Sequence, residues 1–180
     1  MRITSGRLKG RTVKVPKSDL VRPTTDRNRE AIFNYLSNIF EFENALVLDL
    51  YAGSGALGFE AISRGAEHVD FVEKNYKIYK NLIENSKQLN VEENVTVFKT
   101  EAVKFTRTNK KKYHLILADP PFFHYDIYEV VKNIFANNFL DENGLLIIER
   151  SIQTKDKDVE AFATEPTRRL GDSLIYEFSR

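Results

Sequence analysis

The chain has 180 residues, 42% of them hydrophobic, which is enough for the core of one domain with a small appendage, and its net charge at pH 7 is +1. It has no cysteine, which excludes disulfides, thiolate nucleophiles and cysteine zinc sites, and its three histidines show no metal-ligand spacing, so we expect no metal. No stretch approaches the ~18 consecutive apolar residues of a membrane helix, and the first residues lack a signal-peptide core, so we expect a cytoplasmic protein without membrane contact.

Most of the positive charge lies near the N-terminus. The first 30 residues hold nine Lys and Arg against three acidic residues, a net +6, whereas the rest of the chain carries a net −5. Basic and apolar residues alternate as on a half-buried hairpin, which predicts strands at 2–5 and 11–15 followed by a loop. A basic arm on an acidic body is typical of an arm that contacts phosphates, although a solvated terminal face has the same composition. We expect a basic extension at residues 1–24 and a main domain at residues 25–180.

Strands and helices alternate along the main domain. A helix begins at Thr25 or Asp26 and extends to about Phe40, with its apolar residues on one face. The elements that follow are strand 45–50, helix 55–64, strand 68–73, helix 75–89, strand 94–99, helix 101–108, strand 113–118, helix 126–137 and strand 144–149. This alternation predicts a parallel sheet with right-handed crossovers. Two last strands flank Gly171-Asp172, a hairpin signal, so an antiparallel pair is expected at the edge of the sheet.

The first strand of this sheet leads into a glycine-rich segment. Asp49 lies at the end of the strand, and Gly53, Gly55 and Gly58 follow with the G-x-G-x-x-G spacing of a nucleotide-binding turn. Glu73, at the end of the next strand, is placed to hold a ribose. Nicotinamide enzymes share this glycine pattern. Two observations favour S-adenosylmethionine enzymes instead: Asp49 precedes the glycines as in their Asp-x-x-x-Gly-x-Gly motif, and the sequence shows no evident acid or base for hydride transfer.

A second motif, Asp119-Pro120-Pro121-Phe122, follows the fourth strand. Two prolines fix two φ angles and remove two donors, which predicts a rigid turn with outward, unpaired carbonyls. An amino group on a base could donate to the Asp119 carboxylate and the Pro120 carbonyl while Phe122 stacks on the ring. Parallel strands end at one edge of a sheet, so both motifs are expected at one ligand site. Together they predict methyl transfer to a base nitrogen, and a ligand-free strand-ending turn is the alternative.

The two motifs resemble those of class I S-adenosylmethionine-dependent methyltransferases with the (Asn/Asp)-Pro-Pro-(Tyr/Phe) signature. Within that class, five segments resemble the bacterial small-subunit (16S) ribosomal RNA guanine-N2 methyltransferases: residues 1–11, 22–27, 29–34, 49–58 and 63–66. The resemblance implies an α/β, Rossmann-like class I methyltransferase fold with a mostly parallel seven-stranded sheet, an antiparallel C-terminal hairpin and a small basic N-terminal β-hairpin extension. It also implies a monomeric enzyme that methylates one guanine of 16S ribosomal RNA, in a hairpin loop near the ribosomal P site, within small-subunit particles.

The resemblance also implies roles for individual residues. Asp49, Gly53 and Gly55 would line the methionine end of S-adenosylmethionine, and Glu73 would hold its ribose hydroxyls. Glu101 stands where such enzymes usually have an Asp near the adenine amino group. The full cofactor set is Asp49, Tyr51, Ala52, Gly53, Ser54, Gly55, Glu73 and Glu101; the catalytic set is Asp119, Pro120, Pro121 and Phe122; the RNA-binding set is Arg7, Lys9, Arg11, Arg22 and Arg27.

Other functions stay open. An adenine-N6 methyltransferase acting on DNA or RNA, or a protein-glutamine methyltransferase, shares the Pro-Pro clamp, and a nicotinamide oxidoreductase shares the glycine pattern. A non-catalytic ribosome-assembly binder would keep the fold without turnover. His124 is a lone loop histidine outside the catalytic set, and the run Lys110–Lys112 is interpreted as a solvated turn with RNA phosphates as the alternative.

Overall fold

A computed structural model describes residues 1–15, 26–121 and 123–180 of the chain. The predicted loop through residues 16–24 lies outside the described residues. So do two predicted site residues, Arg22 of the RNA-binding set and Phe122 of the catalytic set. Over the part that is described, no helix has the length and apolar character to cross a bilayer.

Helices and strands follow each other much as the hydrophobic pattern predicts. The elements are α1 (Asp26–Leu36), β1 (Leu46–Leu50), α2 (Ala56–Ser63), β2 (His68–Val72), α3 (Tyr76–Leu89), β3 (Val95–Phe98), α4 (Ala102–Thr108), β4 (Tyr113–Ala118), α5 (Ile127–Ala136), β5 (Leu140–Ser151), α6 (Lys155–Phe162), β6 (Arg168–Leu170) and β7 (Ser173–Ser179). One-turn 3₁₀ helices precede β3 and α6.

The described strands form one seven-stranded sheet in the order β3-β2-β1-β4-β5-β7-β6. Strands β1 to β5 pair in parallel, β7 pairs antiparallel with β5, and β6 pairs antiparallel with β7. The predicted parallel sheet and its antiparallel end are therefore confirmed. All the parallel strands point the same way, so the segments that leave their carboxyl ends meet at one edge.

Apolar layers cover both faces of the sheet. On one face, Val47 and Leu115 pack in a core with residues of α1, α2 and α3, and on the other face Leu48 and Ile116 pack with α4 and α5. Successive residues of a strand point to opposite faces, so a strand buried on both sides is apolar without interruption. This explains why β1 and β4 are recognisable from the sequence.

Residues 1–15, here called the N-terminal arm, pair as an antiparallel hairpin. Ile3 N–H donates to the Arg11 carbonyl (3.0 Å), and Val13 N–H donates to the Met1 carbonyl (3.0 Å). Ile3, Leu8 and Val13 are buried in the core that contains α1 and α2. The predicted alternation is confirmed, although the regular pairing is limited to one bridge, between Arg2 and Thr12. The proposed division near residue 24 lies outside the described residues and stays a prediction.

A buried carboxylate on α2 fastens this arm. Glu60 is fully buried and accepts from Thr4 N–H (2.9 Å), the Thr4 hydroxyl (2.6 Å) and Ser5 N–H (3.0 Å). Two arginines complete its surroundings: Arg29 Nε lies 3.6 Å and Arg64 Nε 3.1 Å from its oxygens. Of these five donors, four make hydrogen bonds to the buried carboxylate and Arg29 adds an ion pair, and together they hold the arm in a fixed position against the helix that follows the glycine segment.

Three elements differ from the sequence prediction. The first helix ends at Leu36 instead of Phe40, and Ile39, assigned to its buried face, is 45% exposed. β5 begins at Leu140, because a short pairing with Tyr113 precedes the register shift that leads into the predicted strand. α6 was not predicted, since its buried anchor is an acid: Asp158 lies in the interior, where it pairs with Arg150.

Candidate active site

A cavity of about 830 Å³ opens at the carboxyl edge of the parallel strands. This volume falls within the ~300–1,000 Å³ that small-molecule sites usually occupy. Four parallel strands each bring an acidic residue to the wall. Asp49 and Glu149 lie near the carboxyl ends of β1 and β5, and Glu73 and Asp119 directly follow β2 and β4. The cavity therefore lies where open α/β sheets bind their ligands.

Left-handed backbone shapes the glycine loop between β1 and α2. Tyr51, Gly53 and Gly55 have φ angles of 59°, 53° and 81°. A side chain at Gly55 would place its Cβ 2.5 Å from Phe59 and 2.7 Å from Leu82, so this position requires glycine for space as well as conformation. Ala52 N–H donates to the Val72 carbonyl (3.0 Å), which ties the loop to β2.

The third glycine has a packing role. A Cβ on Gly58 would lie 2.3 Å from the ring of Phe71 on β2. Only glycine lets α2 approach the sheet this closely, as in other glycine-rich turns of this spacing. The close approach also brings Gly58 N–H within 2.9 Å of Asp49 Oδ2, to which it donates.

Asp49 is a buried carboxyl group with one fixed hydrogen bond. It is 2% exposed. Burial raises the pKa of Asp49 well above its usual range, the carboxylates of Asp119 and Glu73 raise it further, and the bond from Gly58 opposes this shift. A cationic ligand in the cavity would relieve both the desolvation and the repulsion.

Glu73 is held between the glycine loop and the start of α3. Its Oε2 accepts from Gly53 N–H (3.1 Å) and its Oε1 from Asn75 N–H (2.7 Å). Asn75 in turn caps α3 by accepting from Lys77 N–H (2.9 Å). A carboxylate has about four lone-pair sites, so two sites are left for ligand donors such as ribose hydroxyls.

The Asp-Pro-Pro turn, which leaves the neighbouring strand β4, forms another part of the cavity wall. Asp119, Pro120 and Pro121 all line the cavity. The Pro121 carbonyl accepts from His124 N–H (3.1 Å), so the prediction that the carbonyls of this turn are unpaired is wrong for Pro121. The pairing closes the chain into a turn of its own and leaves Pro120 to supply the predicted acceptor.

An ion pair behind the turn fastens it to the fold. Arg150 Nη1 on β5 donates to the His124 carbonyl (3.3 Å), and Arg150 Nε lies 3.0 Å from Asp158 on α6. Both side chains are fully buried, and Asp158 also accepts from the hydroxyls of Tyr128 and Thr154. Unlike most turns, this one is held by buried charge on a rigid strand.

The structure brings most of the predicted cofactor and catalytic residues together. Those that line the one cavity are Asp49, Tyr51, Ala52, Gly53, Ser54, Glu73, Glu101, Asp119, Pro120 and Pro121. Gly55 does not line it, because its conformation serves the turn and its N–H donates to the Ala52 carbonyl (2.7 Å). Phe122 lies outside the described residues. The binding roles of all these residues stay predictions.

The predicted RNA-binding residues are not equivalent. Arg11 donates to the carbonyls of Leu89 (2.9 Å) and Gln88 at the end of α3, where cations satisfy unpaired carbonyls, and Arg7 donates to Asn94 (3.3 Å). These two arginines therefore have structural partners that the sequence did not indicate. Arg7, Lys9, Arg11 and Arg27 are all exposed.

The lysine run before β4 contributes to the fold. Lys111 Nζ lies 2.8 Å from Asp70, a buried carboxylate on β2 that also accepts from the Tyr113 hydroxyl (2.7 Å). The run precedes a parallel strand, which places it at the amino edge of the sheet, away from the cavity. The contact that it makes is with the protein's own carboxylate.

Several residues of the cavity wall were outside the predicted site, among them two polar residues near the Asp-Pro-Pro turn, Glu149 and His124. Glu149 ends the strand predicted at 144–149, just as Glu73 ends the strand at 68–73, and this position was the available signal. His124 also lines the cavity, with Nδ1 3.7 Å from Asp126. The N-terminal arm and α1 add Met1, Val15 and Asn28, so the cavity extends from the glycine loop toward the arm.

The sheet order, the glycine loop and the site at the carboxyl edge define a Rossmann-like class I methyltransferase fold. The solved structure of yhhF from Escherichia coli superposes with a TM-score of 0.83 at 29% identity, covering 100% of this chain and 97% of that chain. The hypothetical protein TTHA0928 of Thermus thermophilus superposes with a TM-score of 0.81 at 26% identity, covering 98% of each chain.

A model of the family described as Conserved hypothetical protein 95 matches residues 1–179, so the chain belongs to that family. YlbH of Bacillus subtilis strain 168 is 34% identical over 163 residues, which are 89% of this chain and 85% of YlbH. The Ribosomal RNA small subunit methyltransferase D of Escherichia coli strain K12 is 34% identical over 153 residues, 85% of this chain and 76% of that enzyme. The chain is thus a methyltransferase of this family.

The raised pKa of Asp49 predicts a specific effect of pH on stability. Because the pKa is higher in the folded than in the unfolded protein, the contribution of Asp49 to stability is present at low pH and is lost as the pH rises through the folded pKa. Asparagine carries no charge and can still accept from Gly58. We expect Asp49→Asn to raise the unfolding midpoint of the ligand-free protein at neutral pH, and this gain to shrink as the pH falls toward ~3.9, the pKa of an unfolded Asp.

Thermal unfolding across this pH range measures the effect. Asp172→Asn, which removes the same charge at an exposed hairpin position, serves as the control and should leave the pH profile of the midpoint unchanged. A variant Asp49→Asn that is less stable than wild type at neutral pH and gains relative stability on acidification would contradict the assignment.

Proposed function

We propose that the protein transfers a methyl group from S-adenosylmethionine to the exocyclic N2 amine of a specific guanine in 16S ribosomal RNA of the small subunit. The observation that carries this proposal is one cavity lined both by the glycine loop with Glu73 and by the Asp119-Pro120-Pro121 turn. The name of the Escherichia coli relative, a small-subunit ribosomal RNA methyltransferase, supports the substrate class.

The wall of the cavity suits a cationic cofactor. Asp49 and Glu73 stand beside the glycine loop. Burial is the main cause of the raised pKa of Asp49, and the carboxylates of Asp119 and Glu73 add to it, so a bound cation would lower the cost of its charge. S-adenosylmethionine carries a sulfonium and an ammonium group and supplies an electrophilic methyl group when bound. We infer that Asp49 and the loop take its methionine end, Glu73 its ribose hydroxyls and Glu101 its adenine.

The Asp-Pro-Pro turn would orient the amine. The Asp119 carboxylate would accept one hydrogen of the exocyclic amine and the Pro120 carbonyl the other, which frees the nitrogen lone pair and directs it at the methyl group. Positioning of this kind can supply several kcal/mol without an acid or base of special strength. Asp119 would also receive the proton that leaves the amine after transfer, and Phe122 would stack on the base.

Nucleoside analysis tests the proposed function directly. Small-subunit particles from cells that lack the gene are incubated with the purified protein and labelled S-adenosylmethionine, and the digested RNA is examined by mass spectrometry. We expect one labelled N2-methylguanosine. Label in N6-methyladenosine or in a ribosomal protein would replace the proposal by one of the alternative methyltransferases, and cofactor binding with no label in any particle would favour a non-catalytic assembly binder.

The proposed roles of Asp119, as acceptor for the amine and as the group that takes its proton, predict graded effects of two substitutions. Asp119→Ala should lower kcat/KM by at least ~100-fold, because the amine loses the group that orients it, with cofactor affinity nearly unchanged. Asp119→Asn keeps an acceptor oxygen but cannot take the proton, so its kcat/KM should lie between those of Asp119→Ala and wild type. Methyl transfer to particles, measured together with calorimetric cofactor titration, checks both values. Activity of Asp119→Ala within tenfold of wild type would remove Asp119 from the site.

Glu73 should matter for the cofactor and not for RNA. Glu73→Ala removes a charged acceptor for two ribose hydroxyls, so S-adenosylmethionine should bind ~10–100-fold more weakly. Glu93→Ala, an exposed acid beyond α3, is the matched control and should leave affinity unchanged. Isothermal titration measures the cofactor and filter binding measures the particles. Unchanged cofactor affinity in Glu73→Ala would exclude Glu73 from the site.

The RNA interface is proposed to use the exposed cations of the predicted set. Lys9→Gln combined with Arg27→Gln should flatten the salt dependence of particle binding by ~0.7–0.9 log-log units for each phosphate that the protein no longer neutralises. The control pair, Lys112→Gln with Lys132→Gln, removes equal charge at exposed positions on other faces. Equal salt slopes for the two double variants would mean that net charge alone attracts the RNA. The arm would then be interpreted as a solvated face without an RNA contact.

A further inference from the structure

Glu149 lies on β5, the strand next to β4, and β4 leads into the Asp119-Pro120-Pro121 turn. Ala118 and Ile148 are register partners in the parallel pair β4 and β5, so Asp119 and Glu149 are each one residue beyond a matched pair. Neighbouring strands lie ~4.8 Å apart, and partners in a parallel pair project to the same face. Both side chains line the cavity, at a spacing that suits adjacent donors on one ring.

Two elements hold the Glu149 carboxylate in one orientation. The Ser173 hydroxyl on β7 donates to Glu149 Oε1 (2.6 Å), and Asn28 on α1 donates to the same hydroxyl (3.3 Å). Glu149 is only 7% exposed. Its position is therefore set by the sheet and by the helix that follows the N-terminal arm.

The second oxygen of this carboxylate is buried without a hydrogen bond. Among the described residues, Glu149 Oε2 has no partner, although Oε1 is satisfied. A buried, unsatisfied carboxylate oxygen is costly, so its presence in a native protein calls for an explanation, and a bound ligand that supplies a donor is one. The side chain can only accept while it is ionised, so the missing partner must be a donor.

Guanine and adenine differ in the group that N1 would present to Glu149. Guanine carries an N1–H donor beside its exocyclic N2 amine, whereas adenine presents a lone pair at N1. We propose that Glu149 is the specificity-determining residue of the site, and that its Oε2 accepts the N1–H of the target guanine while Asp119 holds the N2 amine. A base with a lone pair at N1 would place an acceptor against this carboxylate, which is also an acceptor, so the two groups would repel each other. This inference rests on the proposed function and names the residue that restricts it to guanine.

A base analogue separates the two hydrogen bonds. 2-Aminopurine keeps the exocyclic 2-amine that is methylated, but its N1 has a lone pair and no hydrogen. Small-subunit particles are reconstituted with 2-aminopurine or guanine at the position that the nucleoside analysis identifies, and kcat/KM for methyl transfer is measured on each. Wild type should prefer guanine by at least ~100-fold, because a site built for a donor rejects a base that lacks it.

Glu149→Gln should reduce the preference for guanine over 2-aminopurine. The glutamine amide can donate to the N1 lone pair of 2-aminopurine and accepts from guanine without a charge, so the guanine to 2-aminopurine ratio should fall at least ~10-fold. Glu142→Gln, an exposed position on the same strand, should keep the wild-type ratio. Cofactor affinity of both variants, measured by calorimetry, should equal that of wild type.

Each outcome decides between the possible roles. If Glu149→Gln lowers transfer to both bases by the same factor, the residue supports the fold and the inference is overturned. If Glu149→Gln does not fold, Ser173→Ala replaces it as the test, because it removes the hydrogen bond to Glu149 Oε1 and keeps the carboxylate. An unchanged ratio of guanine to 2-aminopurine methylation in Ser173→Ala would also overturn the inference. If the wild-type protein methylates neither the guanine nor the 2-aminopurine particles, the proposed function itself is contradicted. This outcome differs from the two results that overturn only the role of Glu149.

Discussion

Burial of acidic groups at one edge of the sheet is the constraint on which the site depends. Parallel strands share a direction, so the acids at or just after their carboxyl ends, Asp49, Glu73, Asp119 and Glu149, are brought to a single cavity. Burial is the main cause of the raised pKa of Asp49, and the neighbouring carboxylates of Asp119 and Glu73 raise it further. A fold that concentrates acids in this way is less stable empty than it would be with a cation bound. Stability and ligand choice are thus set by the same groups.

Rigid supports on both sides keep that cavity in shape. Glu73 receives hydrogen bonds from the glycine loop and from the residue that caps α3, whereas Arg150 ties the Asp-Pro-Pro turn to β5 and, through Asp158, to α6. The partners of the turn are fully buried, so their electrostatic attraction is little screened by salt. A site whose chemistry depends on orientation needs such supports, because a small displacement of an acceptor removes much of its effect.

The sequence predicts the elements whose signal is apolar and the site residues that stand at strand ends. Asp49, Glu73 and Asp119 were found because each lies at the end of a buried strand or just after it and belongs to a recognisable motif. Glu149 stands at an equivalent position and was missed because no motif marks it. α6 was missed because it is anchored by Asp158, an ion pair that no hydrophobic pattern can show. The carbonyl partners of Arg11 on α3 could not be predicted, because they are distant in sequence and become its neighbours only in the folded chain.

The five donors around Glu60 have a consequence for how this protein can be recombined with its relatives. An arm that looks like a detachable segment in the sequence contributes three apolar residues to the main core and three donors to a buried charge. Removing it would open the interior and leave a carboxylate short of partners, which is far more damaging than the loss of a surface hairpin. A chimaera that exchanges the arm would have to carry over the matching face of α2 as well.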